Sequence, residues 1–206
     1  MTASHPPIRG TVIVLPGGRP VSWAKSRPNH LANLRMRPIT RRLRRELGHE
    51  YAVHQVQYRF RGWNPPHLPA LDDALATIGE VGSPLILVGH SMGGRVAAHI
   101  CQRADVAGIV ALAPWWPDHD SELITAPQVV TLHGTADSWT SARESSEQTT
   151  EMVDRGIAAT FIEMKRAGHF MLLRPGKWHE LICDSVTSML AAHRTAPGSP
   201  TTIRPA

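Results

Sequence analysis

An apolar run, Pro84 to Val88, leads directly into Gly89-His90-Ser91-Met92-Gly93-Gly94 and then into the helix-forming stretch Arg95 to Arg103. Gly-x-Ser-x-Gly in isolation is a short pattern that arises by chance. Between a buried strand and a helix it describes a sharp, strained turn that pushes the Ser91 hydroxyl out of the fold, with glycines where strand and helix crowd together.

The surrounding pattern is strand and helix in alternation. Six apolar, β-branched runs are read at Thr11–Leu15, Tyr51–Tyr58, Pro84–Val88, Ala107–Leu112, Gln128–Leu132 and Ala158–Met164. Helical spacing is found at Leu71–Ile78 and Lys177–Ala192, and Ser141-Ala142-Arg143-Glu144 forms a capping box for a helix ending near Gly156. Such alternation implies a parallel sheet covered on both faces. With 206 residues, 42% of them hydrophobic, one core suffices. The expected domain is residues 11–192, with a flexible segment at 1–10 and a disordered Pro/Ser/Thr-rich tail at 193–206. The 15 residues from Ala113 to Pro127 are barely enough for a parallel crossover and leave no room for a large lid.

Charge is uneven. Up to Arg61 there are 12 Lys and Arg against Glu46 and Glu50, a net of +10, so the rest of the chain carries −5 of the overall +5. Much of the excess lies on Pro38–Leu47, read as a helix with Pro38 at its first position and Gly48 beyond its end. Ile39, Leu43 and Leu47 share one face, and Arg41, Arg42, Arg44 and Arg45 cover the others. No aromatic residue interleaves with these arginines and no nucleic-acid motif accompanies them, so a solvated amphipathic helix is expected, with no nucleic-acid partner. No apolar run has the length of a membrane span and Met1–Arg9 has no signal-peptide core, which sets the expectation of a cytoplasmic protein without a membrane partner. Cys101 and Cys183 lack metal-type spacing and read as buried apolar residues.

Serine needs a base, and the base needs an orienting group. Asp137 closes Leu132-His133-Gly134-Thr135-Ala136-Asp137 beyond the fifth strand, and His169 closes Ala167-Gly168-His169 beyond the sixth. The order Ser, Asp, His together with the elbow resembles the α/β-hydrolase superfamily, specifically its small esterase-like members without a cap domain, from about Thr11 to about Ala192. The resemblance implies a single-domain α/β-hydrolase fold with a reduced, six-stranded, mostly parallel sheet in the order 2-1-3-4-5-6. It implies Ser91, Asp137 and His169 as the catalytic residues of a serine hydrolase that cleaves a small ester or thioester through an acyl-enzyme. It also places the Leu15-Pro16-Gly17-Gly18-Arg19 loop where an oxyanion would bind, with the N–H groups of Gly18 and Met92 as donors, or Arg19 in place of Gly18. The same triad serves acyl transfer and thioester hydrolysis, and a non-catalytic module that holds an acidic partner on the Arg-rich helix is the alternative from a different class.

Other residues compete for these roles. His90 and His133 read as structural. Asp118 and Asp120, after the fourth strand, are second choices for the acid, and with His119 they make a poor metal site because adjacent residues rarely point at one ion. No metal and no cofactor are expected. Trp23, Trp63, Trp115, Trp116, Trp139 and Trp178 all follow strands; Trp115, Trp116 and Trp139 are expected to wall an apolar acyl or aromatic pocket near Ser91. The arginines of Tyr58-Arg59-Phe60-Arg61-Gly62-Trp63 are read as rim residues rather than as partners of a substrate anion.

Overall fold

In the computed structural model, which describes residues 8–79, 84–117 and 119–195, the six apolar runs form one all-parallel sheet. Its strands are β1 (Thr11–Leu15), β2 (Ala52–Gln55), β3 (Leu85–His90), β4 (Gly108–Leu112), β5 (Gln128–Gly134) and β6 (Ala158–Met164), in the order β2-β1-β3-β4-β5-β6. This is the order implied by the resemblance. The helices are α1 (Leu31–Leu47), α2 (Pro69–Ile78), α3 (Met92–Ile100), α4 (Ala142–Asp154) and α5 (Pro175–Thr195). No separate cap domain interrupts them among the described residues.

Strand periodicity divides the core into two layers. Val12 and Val14 of β1 point with Ile86, Val88, Val110 and Leu112 toward α1 and α5. Ile13 and Leu15 point with Leu85, Leu87, Ile109 and Ala111 toward α2, α3 and α4. Both faces are dry, so β1, β3 and β4 are buried along their whole length, as continuous apolar runs require. The edge strand β2 is shorter than its apolar run: after Val56 donates to the Val14 carbonyl at 2.9 Å, Gln57 and Tyr58 leave the sheet.

Helix α1 departs from expectation at its start. It begins at Leu31, so that Pro38 lies inside it rather than at its first position. An interior proline costs roughly 3 kcal/mol, but Met36, Ile39 and Leu43 on the same helix are each at most 1% exposed. At about 1.5–3 kcal/mol per buried side chain their packing outweighs the lost hydrogen bond. Pro38 itself faces solvent. The remaining helix signals hold: Ser141 Oγ accepts the Glu144 N–H at 3.1 Å, and Gly48 follows α1 with a φ of 62°.

Cys101 and Cys183 are buried, unbridged thiols. Before β1, the Arg9 N–H donates to the Glu50 carbonyl at 2.7 Å, while residues 1–7 lie outside the described residues. Of the tail, 193–195 complete α5 and 196–206 lie outside the described residues. No described helix is long and apolar enough to cross a membrane.

Candidate active site

Strand order fixes where the chemistry collects. Between β1 and β3 the chain reverses its direction of travel across the sheet, and the loops leaving the carboxyl ends of those two strands diverge to form a crevice. Ser91 sits there, between β3 and α3, with φ 54° and ψ −117°. The strained turn is enforced by crowding. A side chain at Gly93 would collide with the Leu15 carbonyl, and one at Gly89 with the backbone of Gly93 and Gly94. The Gly-x-Ser-x-Gly pattern is therefore a steric requirement of packing α3 against β1 and β3.

The three residues named from sequence converge. Ser91 Oγ lies 3.0 Å from His169 Nε2, and His169 Nδ1 lies 2.7 Å from Asp137 Oδ2. Because the carboxylate can only accept, Nδ1 carries the proton and Nε2 is left as an acceptor for the serine hydroxyl. The arrangement can pass a proton from Ser91 to His169 while Asp137 stabilises the resulting imidazolium.

Asp137 is the most heavily bonded group of the site. Its Oδ1 accepts the N–H groups of Trp139 at 2.7 Å and Thr140 at 3.0 Å. Its Oδ2 accepts the Thr140 hydroxyl at 3.0 Å and His133 Nε2–H at 3.1 Å in addition to His169. Burial opposes its charge, but the hydrogen bonds from His133, His169, Thr140 and Trp139 outweigh burial and hold the carboxyl far below the usual carboxylate range. His133, fully buried and anchored by its Nδ1 to Ser145 Oγ at 3.0 Å, is thus a second imidazole on the acid. The sequence reading passed over this role. Its signal is the spacing His133-Gly-x-x-Asp137, which puts both side chains at one strand end.

His90 holds the other side of His169. Its Nε2–H donates to the His169 carbonyl at 2.9 Å, which leaves Nδ1 a bare, buried acceptor facing Gly17. Burial, helped by the neighbouring His169, pushes the His90 pKa down to about 3, so the ring stays neutral.

The proposed oxyanion donors border the same space. Met92 occupies the first position of α3, where an N–H has no helical partner. The Gly18 N–H is paired with no described residue, and its Cα lies against the Met92 side chain. The alternative donor is spent: the Arg19 N–H donates to the Arg61 carbonyl at 2.8 Å.

The second-choice acids are elsewhere. Asp120 is buried in an ion pair with Arg95 and lies 3.1 Å from His99 Nε2, and Asp118 lies outside the described residues. Among the described residues no three His, Cys, Asp or Glu side chains gather in a way that could hold a metal ion.

The structure places Trp115, Trp116 and Trp139, the three tryptophans expected to wall a pocket near Ser91, on two adjoining surfaces. Only Trp139 borders the cleft over Ser91, a cavity of about 620 Å³, where its ring stacks 5.9 Å from that of His169. Trp115 and Trp116 line a neighbouring depression, which Trp139 and Asp137 also border. The loop after β4 is tied by its Trp115 N–H to the Ser91 carbonyl at 3.2 Å, which turns both indoles back onto α3. Trp116 Nε1–H donates to the Gly94 carbonyl at 3.0 Å, and Trp115 lies under the Arg95 guanidinium at 4.6 Å. The cleft is walled by Leu31 and Arg35 of α1 and by Phe170 and Leu172 after His169, none of them singled out from sequence, and by Tyr58, Phe60 and Arg61 of the segment after β2 read as a rim.

Comparison with known proteins gives the family and the fold. The model of a family described as "Alpha/beta hydrolase family" matches residues 12–120. No curated protein sequence matches the chain. Among solved structures, Est1E from Butyrivibrio proteoclasticus is similar over 91% of each chain, at 13% identity and a TM-score of 0.64. An acetyl ester-xyloside bifunctional hydrolase from Caldicellulosiruptor lactoaceticus is similar over 92% of this chain and 85% of that one, at 14% identity and a TM-score of 0.68. An alpha-beta serine hydrolase homologue from Coxiella burnetii covers 85% of this chain and 84% of its own, at 16% identity and a TM-score of 0.62.

Proposed function

The chain belongs to the alpha/beta hydrolase family, and from that premise we propose that it is a serine hydrolase of small esters or thioesters. The observation that carries the reading is the unbroken chain of contacts from Ser91 Oγ to His169 at 3.0 Å and from His169 to Asp137 at 2.7 Å. Ser91 Oγ attacks the acyl carbonyl carbon while its proton passes to His169 Nε2. Collapse of the tetrahedral adduct breaks the bond to the leaving oxygen or sulfur, which takes that proton from His169. Water then attacks the acyl-Ser91 carbonyl with His169 as base, and the carboxylic acid leaves as the proton returns to Ser91 Oγ. The N–H groups of Gly18 and Met92 receive the charge that develops on the carbonyl oxygen; one such donor is worth about 10²–10³ in kcat.

The cleft suits this work. Its volume of about 620 Å³ holds a small acyl or aryl ester, and its walls are mainly apolar. The test is hydrolysis of phenyl acetate and of an acetyl thioester, with mass spectrometry of the quenched reaction. Wild type should turn over and carry an acetyl group on Ser91, and Ser91→Ala should lose both by at least about 10³-fold. A folded wild type that hydrolyses neither, or a Ser91→Ala variant that keeps wild-type rates, would overturn the proposal.

A further inference from the structure

Three buried side-chain polar atoms around the Ser91 cleft have no hydrogen-bond partner among the described residues: Arg35 Nε, Tyr58 Oη and His90 Nδ1. Buried polar atoms in folded proteins are nearly always bonded, so a cluster of exceptions needs a cause. Arg35 is the most telling. It stands on the second turn of α1, half buried, with its guanidinium 4.4 Å from the centre of the Phe170 ring. Among the described residues no carboxylate pairs with it, and burial lowers its pKa. Leaving a guanidinium partly dehydrated without a counter-charge is unfavourable. The Phe170 ring face compensates only in part.

Tyr58 adds a second donor. Its ring is 2% exposed and its hydroxyl is unbonded. Burial pushes its ionisation far above the ordinary range, so the hydroxyl keeps its proton and can donate it to a ligand. The rest of the lining is consistent in sign. Arg19 and Arg61 stand on the same cleft, and no Asp or Glu is among its described lining residues. The apolar walls, Leu31, Phe60, Phe170 and Leu172, are suited to methylenes or an aryl ring.

We propose that the cleft recognises a substrate that carries a carboxylate in addition to its scissile ester, with Arg35 and Tyr58 Oη as the carboxylate's partners. A guanidinium fork and one phenolic donor match the two oxygens and single charge of that group. The substrate class rests on the serine-hydrolase reading, but the binding site does not.

The experiment uses the Ser91→Ala protein, which cannot turn over, with Trp139 fluorescence as the readout. Its ligands are the phenyl hemiesters of succinate, glutarate and adipate, each paired with its isosteric terminal amide. At least one hemiester should bind about 10- to 100-fold more tightly than its amide, the range expected for hydrogen bonds to a charged group. Adding Arg35→Gln should bring that ratio to within about twofold of one, and Arg35→Lys should retain part of it, because charge persists without the fork. Equal binding of every pair in Ser91→Ala, which needs no change at Arg35, would overturn the proposal. So would a preference that survives Arg35→Gln in a variant whose melting curve shows it folded. Phenyl acetate hydrolysis by wild type separates the two readings. Hydrolysis without a hemiester preference sinks the carboxylate site alone, and a preference without hydrolysis sinks the serine-hydrolase reading alone.

Discussion

The two halves of the Ser91 cleft are built on opposite principles. On the side of the proposed acid and base, the Asp137 side chain is fully buried and takes five hydrogen bonds, from His169, His133, the Thr140 hydroxyl and the Trp139 and Thr140 N–H groups. Around the rest of the cleft, Arg35, Tyr58 and His90 each leave a buried polar atom without a hydrogen-bond partner among the described residues. There Leu31 and Leu172 are 74% and 77% exposed. A saturated network has one geometry and holds it before substrate arrives, which is what orienting a base requires. An unsaturated, apolar rim is completed by what binds it.

The comparison breaks most visibly at Asp137. Asp137→Asn keeps the volume but disturbs the tautomer of His169, and kcat for phenyl acetate should fall about 10⁴-fold with the fold intact by circular dichroism. A loss under tenfold would mean that the saturated side does not orient the base.

Next is Trp116, which sequence grouped with Trp139. At 5% exposure and bonded to Gly94, its removal in Trp116→Ala should cost about 3–5 kcal/mol in urea unfolding and leave the ratio of aryl to short-chain ester hydrolysis unchanged. A changed ratio with little lost stability would return Trp116 to the substrate wall.

His133→Leu removes one donor from Asp137 and one partner from Ser145. It should lower stability by about 1–3 kcal/mol and kcat by about tenfold. The acid limb should respond as well. A depressed carboxyl stabilises the fold above its unfolded value near 3.9 and loses that contribution as pH falls through the folded value. With one donor fewer the folded value rises, so acid unfolding should begin at higher pH than in wild type.

His90 supplies the other pH signature. Its folded pKa is pushed down to about 3 from an ordinary 6.5, so between those values the unfolded chain binds the additional proton. Its contribution is complete above about pH 6.5 and declines by about 1.4 kcal/mol per pH unit toward pH 3. Urea midpoints at pH 7.5, 6, 5 and 4 should show a shallower decline in His90→Gln than in wild type; parallel declines would mean that His90 does not titrate in this window. The smallest stability effect belongs to Trp139→Ala, within about 1 kcal/mol at so exposed a site, with altered ester selectivity as its main consequence.

The placement of Ser91, Asp137 and His169 at strand ends was legible in the sequence; the His133 and Thr140 bonds to Asp137 and the open half of the cleft were not, for a physical reason. Ser91, Asp137 and His169 each follow the end of a strand, and strand ends are fixed by apolar runs bounded by glycine. The sheet order, by contrast, was implied by the resemblance to the α/β-hydrolase superfamily and not by the runs themselves. The cleft walls depend on where chains turn and side chains point. Reading Pro38 as a helix start hid Leu31 and Arg35, because local propensity could not anticipate that burying Met36, Ile39 and Leu43 would carry α1 through a proline. That Trp115 and Trp116 turn onto α3 depends on the tie from the Trp115 N–H to the Ser91 carbonyl, which is invisible in one dimension. Phe170 and Leu172 follow His169 in a loop without periodicity.

The most direct test of the central claim is covalent. Purified wild type, Ser91→Ala and His169→Ala are treated with a fluorophosphonate probe and weighed intact. One adduct per chain in wild type, absent from Ser91→Ala and strongly slowed in His169→Ala, is the result predicted for a serine activated by His169 at 3.0 Å. A folded wild type that takes no label, or equal labelling of Ser91→Ala, would contradict the account.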